Sequence, residues 1–208
     1  MQPTQNFQPD GMGAYSPLPW APDDIVEDTY TQVLAPVIAE MTARGTPFIG
    51  LLSARLALTD DGVRVIDLSI CFGDPEAQVL IPLLKTPLAT LLYKAATNDL
   101  DDVALQWREE SAVSVLLAAG GYPDSAQTGS VILNIPTVKE TITFHSGTTR
   151  STAGLVSSGG RVLSVTGIGE DLTEARDRAY RAISQITLPG SFYRTDIALN
   201  ASVAEKGN

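Results

Sequence analysis

The sequence contains few of the residues on which the commonest catalytic and metal-binding sites depend. Among its 208 residues there is one cysteine, Cys71, and one histidine, His145. A single cysteine cannot form an internal disulfide, and no further cysteine or histidine is available to complete a zinc site. A serine hydrolase is also disfavoured, because the sequence has no Gly-x-Ser-x-Gly motif. We therefore expect His145 to be a hydrogen-bonded structural residue and Cys71 to carry no thiol chemistry.

Long apolar runs and basic residues are scarce as well. No apolar run approaches the roughly 20 residues that a membrane-spanning helix needs, and the amino-terminal segment lacks the basic start and apolar stretch of a secretion signal. Acidic residues outnumber basic ones by 24 to 14, for a net charge of −10. Such a surface repels the phosphodiester backbone of nucleic acids. We therefore expect a cytoplasmic protein that binds neither nucleic acids nor membranes.

The residues that are abundant predict a globular protein, since 44% are apolar and 18% are charged. Residues 1–22 are rich in Gln, Pro and Gly and are expected to be irregular, as in a chain that continues upstream. A helix is expected over 23–45, with a kink at Pro36. The apolar strand 48–58 and the strand 63–70, whose side chains alternate between two faces, should then form a hairpin through an Asp-Gly turn.

The rest of the chain divides into a short helical part and a longer part dominated by strands. Apolar helices are expected up to Leu84 and over 88–97, and the polar residues 98–102 suggest a linker. Asp171 and Glu174 have the spacing of an amino-terminal helix cap, which begins one long helix. The predicted strands are 112–119, 130–134, 141–145, 155–157, 161–166 and an edge strand 192–197, before a frayed tail at 204–208.

Two oxygen-bearing side chains in the second hairpin strand form a candidate metal site. Asp67 and Ser69 are two residues apart, so both side chains project from the same face of the strand. A carboxylate with a second oxygen ligand can hold magnesium, which takes its other ligands from water and phosphate. An acid and a serine on a solvent-facing strand are the simpler interpretation, and the pattern alone favours it.

The segment Asp74-Pro75-Glu76 is a candidate ligand-binding corner. It lies where a loop enters a helix, and acids in the first turn of a helix stabilise it. That structural role explains the pattern by itself. The functional alternative is that Asp74 orients a cationic amine while the helix amides hold an anion.

The segment Gly11-Met12-Gly13 is a second candidate. Glycines let the backbone come close to a phosphate and permit a positive φ. A plain connecting loop is the simpler interpretation of a single pair of glycines.

Taken in order, these segments and others resemble the phosphoribosylamine–glycine ligase family, over residues 10 to 197. The motifs that carry the resemblance are Asp-Gly-Met-Gly-Ala-Tyr-Ser-Pro at 10–17, Phe-Gly-Asp-Pro-Glu-Ala-Gln at 72–78, Ala-Ala-Gly-Gly-Tyr-Pro at 118–123, Phe-His-Ser-Gly-Thr at 144–148 and Gly-Gly-Arg-Val-Leu-Ser-Val-Thr at 159–166.

The resemblance implies a fold and an activity. Members of the family join phosphoribosylamine to glycine with ATP and magnesium or manganese, through a glycyl phosphate intermediate. The implied fold is α+β, with residues 1–100 forming the second part of an ATP-grasp domain, an antiparallel sheet with helices. Residues 101–208 would form a small, mostly antiparallel β carboxy-terminal domain with one long helix. The family's amino-terminal domain and first ATP-grasp part are expected to be missing, so that another chain, or the missing part of a longer one, would have to supply them.

The resemblance also assigns the candidate residues, none of them as catalytic. The residues implied to bind substrate are Gly11, Met12, Gly13, Asp74, Pro75 and Glu76. The residues implied to stand at the magnesium-ligand positions are Asp67 and Ser69.

The sequence departs from the family pattern around these metal-ligand positions. The family's strand has the pattern Glu-Phe-Asn-x-Arg, in which the Glu and the Asn hold magnesium. Here Asp67 and Ser69 replace them, and Cys71 replaces the arginine. The preceding strand carries Ser53 and Arg55 where the family has Tyr and Gly. Because serine is a poorer ligand than an amide and a permanent positive charge is lost with the arginine, these changes indicate weakened or lost catalysis.

One further departure precedes the glycines, where Asp10 replaces the first glycine of the family's Gly-Gly-Met-Gly. Two hypotheses follow from the pattern as a whole. The chain is an ATP-dependent ligase that is inactive alone and needs an amino-terminal half, or it is a non-catalytic remnant or interaction module that retains the ligase fold. In both cases the missing ATP-grasp part predicts an exposed apolar face on strand 48–58 and helix 79–84.

Overall fold

A computed structural model describes residues 11–59 and 62–206. Asp10, the hairpin-turn residues Asp60 and Asp61, and the last two residues of the expected frayed tail therefore lie outside the described part. The described chain divides into two compact units that are not contiguous in sequence. The first unit contains 11–19, Asp74–Leu83 and 108–206, and the second contains Trp20–Gly73 and Leu84–Trp107. The expected domain boundary after residue 100 stays a prediction.

The strands and helices are short and mixed along the chain. The strands are β1 Gly13–Ser16, β2 Ser53–Thr59, β3 Gly62–Ser69, β4 Ser111–Ala118, β5 Thr141–His145, β6 Thr148–Ser151, β7 Gly154–Ser157 and β8 Arg161–Gly169. The helices are α1 Ile25–Thr29, α2 Ala35–Ala43, α3 Ala77–Leu83, α4 Leu88–Ala96, α5 Leu172–Ile183 and α6 Leu199–Glu205, with a π-helical turn, Tyr30–Leu34, between α1 and α2. The expected α+β class, with antiparallel sheets and one long helix near the carboxy terminus, is confirmed.

The first unit is built on a four-stranded antiparallel sheet in the order β1-β4-β8-β5, covered by α5. Its two central strands are buried along almost their whole length, as expected of strands that are covered on both faces. Gly167 allows α5 to approach β8 closely, because a Cβ at that position would lie 2.2 Å from the backbone oxygen of Ala175. Leu163, Leu172 and Ile183 are among the fully buried side chains of this interface.

The long helix α5 begins as its sequence predicts. The carboxylate of Asp171 accepts a hydrogen bond from the backbone N–H of Glu174, at 2.7 Å. The carboxylate of Glu174 accepts in turn from the N–H of Glu170, at 2.9 Å. The two acids thus satisfy two backbone donors that the helix itself leaves free.

The second unit consists of the α1–α2 segment, the β2–β3 hairpin and α4. The π-helical turn precedes Pro36 by two residues, and in it the N–H of Ala35 donates to the carbonyl of Tyr30, one residue further back than in an α-helix. The helix therefore changes its hydrogen bonding beside the proline where the sequence predicts a kink. None of the described residues of this unit is buried.

Several expectations about secondary structure were wrong. The segment Gly13–Ser16 is a sheet strand rather than a connecting loop, and β2 begins at Ser53, not at residue 48. Residues 130–134 make only isolated bridges, because successive backbone groups bond to different partners: the N–H of Ile132 donates to Leu155 and that of Leu133 to Thr187.

The predicted edge strand 192–197 is also absent from the described structure, apart from one bridge at Phe192. The backbone of this segment bonds to side chains of α5 instead of to a strand: Arg176 donates to the carbonyls of Thr195 and Ile197. The helix α6 that follows includes Ala204 and Glu205, which were expected to be frayed. Glu205 is held because its carboxylate accepts from the N–H of Leu172, at 2.7 Å.

The expected exposed apolar face is found on the strand and in part on α3. Ile49 and Leu58 are 57% and 39% exposed, and Leu80 of α3 is 39% exposed. The expectation was wrong for Val79 and Leu83 of α3, which are buried, with 2% and 4% of their surface exposed. These two side chains pack with Ala112 of β4.

Candidate functional site

The Gly11-Met12-Gly13 segment leads into the edge strand β1. Met12 is 2% exposed and packs against Leu116 and Ala118, so its side chain belongs to the core. Its carbonyl accepts a hydrogen bond from the N–H of Leu116 at 3.0 Å. Of this segment, Gly11 is the residue that lies next to charged groups.

Asp74 is held by two side chains of the same unit. The side-chain amide of Gln78 donates to its Oδ1 atom at 2.8 Å. The Nη2 atom of Arg161, at the start of β8, donates to the backbone oxygen of Asp74 at 2.7 Å and lies 3.1 Å from Oδ1. A guanidinium that binds both the backbone and the carboxylate of one residue fixes the position of that residue more tightly than a single surface ion pair does.

Gly11 provides the space that Arg161 occupies. A Cβ atom at this position would lie 2.7 Å from Nη1 of Arg161, and Gly11 has a φ of +72°. Both facts favour glycine, because other residues rarely adopt that backbone conformation and a side chain would displace the guanidinium. Gly11, Asp74, Gln78 and Arg161 thus form one cluster, which we call the Asp74 corner.

The Asp74 corner also contains polar atoms whose bonds are not completed by the described residues. The Nε atom of Arg161 and the Oε1 atom of Gln78 are buried and have no hydrogen-bond partner in this part of the chain. Pro75 is buried, whereas Glu76 is exposed. The corner thus presents an ordered carboxylate whose side chain is 52% exposed, which suits a ligand that carries an amine.

The candidate metal ligands lie in the second unit, on β3. Asp67 stands directly opposite Arg55 in the β2–β3 pairing, and Nη2 of Arg55 is 3.7 Å from Oδ2 of Asp67. The hydroxyl of Ser53 donates to the carbonyls of Ser69 and Cys71, at 3.3 and 3.0 Å. A β-bulge at the Arg55/Leu56 step interrupts the regular alternation expected for β3, but Asp67 and Ser69 both lie beyond it.

These residues fit a divalent cation poorly. The only carboxylate already faces a guanidinium, and Ser69 can offer just a neutral hydroxyl. In the described ranges, no group of three or more His, Cys, Asp or Glu residues is placed to hold a metal ion. The metal role of Asp67 and Ser69 stays a prediction, and the surroundings of Asp67 argue against it.

Two further sequence expectations concern single residues. His145 is hydrogen-bonded through Nδ1 to the hydroxyl of Thr148 at 3.0 Å, which confirms its structural role. Cys71 is exposed.

Sequence reasoning did not identify Arg161 as a site residue, although it belongs to the motif at 159–166. Arg161 is 87 residues from Asp74 in sequence, and only the fold brings the two together.

Within the described residues, no helix has the length and apolar character required to cross a membrane.

Comparison with family models accounts for most of the chain. Residues 4–77 match the model for the ATP-grasp (A) domain of phosphoribosylglycinamide synthetase, and residues 112–200 match the model for its C domain. The first match contains Gly11, Asp67 and Asp74, and the second contains Arg161.

Individual proteins agree with these matches. The phosphoribosylamine–glycine ligase of Streptomyces coelicolor is 49% identical to the chain over 98% of the chain and 53% of that protein. The crystal structure of the ligase from Thermotoga maritima has a TM-score of 0.80 at 29% identity, covering 90% of the chain and 46% of that structure.

A more distant structure shows likeness in fold alone. It is the biotin carboxylase domain of the 2-oxoglutarate carboxylase of Hydrogenobacter thermophilus, a complex with MgADP, with a TM-score of 0.62 at 11% identity. It covers 88% of the chain and 40% of that structure. The chain spans about half the length of the ligases it matches. From its two domain matches and its identity to these ligases, the chain belongs to the phosphoribosylamine–glycine ligase family.

Proposed function

We propose that this chain supplies the substrate-binding corner and the carboxy-terminal part of an ATP-dependent ligase that joins glycine to phosphoribosylamine in purine biosynthesis. The Asp74 corner is the observation that supports this function, because Gly11, Gln78 and Arg161 all serve to hold one carboxylate in place. The chain spans about half the length of its relatives, so the proposed reaction also needs the residues that correspond to their other half.

In the proposed reaction, the terminal phosphoryl group of ATP is transferred to the carboxylate of glycine, which gives glycyl phosphate and ADP. The amine of phosphoribosylamine then attacks the glycyl carbonyl, and phosphate leaves. The Asp74 carboxylate would accept hydrogen bonds from an amine, and Arg161 would keep that carboxylate oriented. ATP follows from the ATP-grasp match. Magnesium or manganese is implied by family resemblance, but we assign no step to it, since Asp67 and Ser69 fit it poorly.

The proposal is tested by mixing the purified chain with the amino-terminal half of the Streptomyces coelicolor ligase. Formation of glycinamide ribonucleotide that depends on ATP and glycine is then measured by mass spectrometry. We expect no turnover by either part alone and measurable turnover by the mixture. Absence of product from the mixture, with both parts folded, would contradict the proposal.

Variants connect the activity of the mixture to the Asp74 corner. Asp74→Asn and Arg161→Met should each lower turnover by at least about tenfold, because the positioned charge is lost. The matched control is Asp177→Asn, which removes an equivalent charge from an exposed position of α5 and should leave turnover unchanged. Equal effects of Asp74→Asn and Asp177→Asn would show that the corner has no part in the reaction.

A second candidate function is a non-catalytic binding or interaction module that retains the ligase fold. The ion pair between Arg55 and Asp67 favours this second function. Arg55 is paired with the carboxylate that would be needed to bind a metal at the family's site. This alternative predicts that calorimetry detects no magnesium-dependent nucleotide binding, even when the amino-terminal half is present. Tight binding of magnesium–ATP would contradict it.

A further inference from the structure

The β2–β3 hairpin carries its own cation beside its one candidate metal-binding carboxylate. Arg55 and Asp67 are directly opposite each other in the antiparallel pairing, so their side chains leave the same face of the hairpin. The 3.7 Å distance between Nη2 and Oδ2 is within the range of an ion pair. The pair brings together two side chains of opposite charge, whose sum is zero.

The groups around the pair leave few other partners for Asp67. Ser53 and Ser69 form the next pair along the hairpin, and the Ser53 hydroxyl spans the carbonyls of Ser69 and Cys71. Those two carbonyls are therefore already engaged as acceptors on the side of Asp67 that leads to the loop. Arg64, the other arginine of the hairpin, stands opposite Ala57 and its Nη1 donates to the carbonyl of its neighbour Val63. Arg55 is thus the hairpin cation that faces Asp67.

We propose that Arg55 is the counter-ion of Asp67 and that its charge disfavours the binding of a divalent cation at this hairpin. A guanidinium near the carboxylate makes the local potential less negative, which weakens the attraction for any second cation in proportion to that cation's charge. A divalent ion loses twice as much electrostatic attraction as a monovalent ion does. A neutral serine hydroxyl does not restore that loss, since hard divalent ions select charged and carbonyl oxygens. The inference concerns metal binding by this chain and does not depend on the proposed ligase activity.

The test uses Mn²⁺ as the probe on the isotopically labelled full chain. Bound Mn²⁺ broadens the NMR signals of nearby amides, so residue-specific broadening locates even weak binding. In the unmodified chain, we expect the amides of residues 66–70 to broaden no more than those beside exposed acids elsewhere, such as Asp23 and Asp177. Saturable broadening centred on Asp67 in the unmodified chain would overturn the proposal.

Variants separate the charge of Arg55 from its bulk. Arg55→Met keeps the length of the side chain and should increase the broadening at 66–70 several-fold at the same Mn²⁺ concentration. Arg55→Lys keeps the charge and should behave as the unmodified chain does. Arg64→Met is the matched control, since it removes a charge from the same hairpin without facing Asp67, and it should have no comparable effect. The increase in Mn²⁺ broadening expected for Arg55→Met should be absent when Arg55→Met is combined with Asp67→Asn.

Two results would contradict the role of Arg55. The first is an Arg55→Met chain whose amide shifts outside the hairpin are unchanged but whose Mn²⁺ broadening does not increase. The second is an equal increase in Arg64→Met, which would indicate a general charge effect. If Arg55→Met disturbs the hairpin itself, Arg55→Gln supplies the same loss of charge with a side chain that keeps polar contacts, and the same increase is expected.

Discussion

The two compact units of the chain differ most in how their side chains are packed. The first unit holds a sheet and a long helix whose facing side chains are buried, among them Leu163 and Leu172, which are fully excluded from solvent. In the second unit, no described residue is buried, and Val26 and Ile70 are each more than three-quarters exposed. The Asp74 corner lies in the first unit and the Arg55–Asp67 pair in the second.

This difference shows where the structure enforces residue identity. At the Asp74 corner, Arg161 donates a hydrogen bond to the backbone oxygen of Asp74, and a side chain at Gly11 would displace its guanidinium. On the hairpin, Arg55 and Asp67 are each more than half exposed and have room to change. Substitutions are therefore expected to disturb the structure more at the corner than on the hairpin.

The largest expected effect is on core packing, and it tests the difference between the units directly. Leu163→Ala should destabilise the first unit by about 2–5 kcal/mol, because it removes a fully buried side chain from a close-packed interface. Leu92→Ala in α4 of the second unit removes the same atoms from a side chain that is 49% exposed, and it should cost less than about 1 kcal/mol. Hydrogen exchange, followed for each unit, measures both changes. Equal costs would show that the second unit is packed more tightly than its exposure indicates.

The next effect concerns the fit of Gly11 against Arg161. Gly11→Ala should cost about 1–3 kcal/mol, since alanine would have to adopt a φ of +72° and its Cβ would displace the guanidinium. Gly45→Ala is the matched control, because Gly45 has a φ of +75° but no atom within 4 Å of the added Cβ. Urea unfolding gives the two costs, and the difference between them measures the contact with Arg161. If Gly45→Ala costs as much as Gly11→Ala, the contact contributes nothing.

A smaller effect is expected at Tyr180, which anchors the segment after α5. Its hydroxyl donates to the carbonyl of Arg194 at 2.7 Å and accepts from the N–H of Ile197 at 3.1 Å. Tyr180→Phe should therefore destabilise the first unit by about 1–2 kcal/mol. Tyr193→Phe is the control, because Tyr193 packs against the Tyr180 ring. This substitution also removes one hydroxyl, but it leaves both hydrogen bonds of Tyr180 in place.

The pH dependence of stability gives the same residue a second test. Burial raises the pKa of the Tyr180 hydroxyl above its usual value, more than the neighbouring Arg176 guanidinium and the Ile197 hydrogen bond lower it. The folded state therefore keeps the proton when the unfolded chain has lost it. The corresponding stability is complete below the unfolded pKa, about 10, and is lost as the pH rises through the raised folded value. The loss should be absent in Tyr180→Phe, as measured by urea unfolding between pH 8 and pH 11.

Sequence patterns predicted the elements that local chemistry determines. The Asp171 cap, the hairpin and the apolar strands β4 and β8 were all expected, because capping acids and alternation are local signals. The features that the sequence did not predict depend instead on contacts between residues that are far apart in the chain. The segment 192–197 has the composition of a strand, but Arg176 and Tyr180 of α5 take up its backbone groups. The pairing of Arg161 with Asp74 is equally non-local, so no spacing in the sequence predicts it.

The smallest expected effect is the contribution of the Arg55–Asp67 pair to stability. A double-mutant cycle with Arg55→Met and Asp67→Asn should give a coupling free energy of about 0–1 kcal/mol, because both side chains are more than half exposed and water screens their attraction. Raising the salt concentration should lower the coupling further. A coupling above about 2 kcal/mol would show that the hairpin depends on the pair for its folding. A weak coupling is compatible with the proposed effect on cations, because the Arg55 charge can weaken the binding of a second cation without stabilising the hairpin.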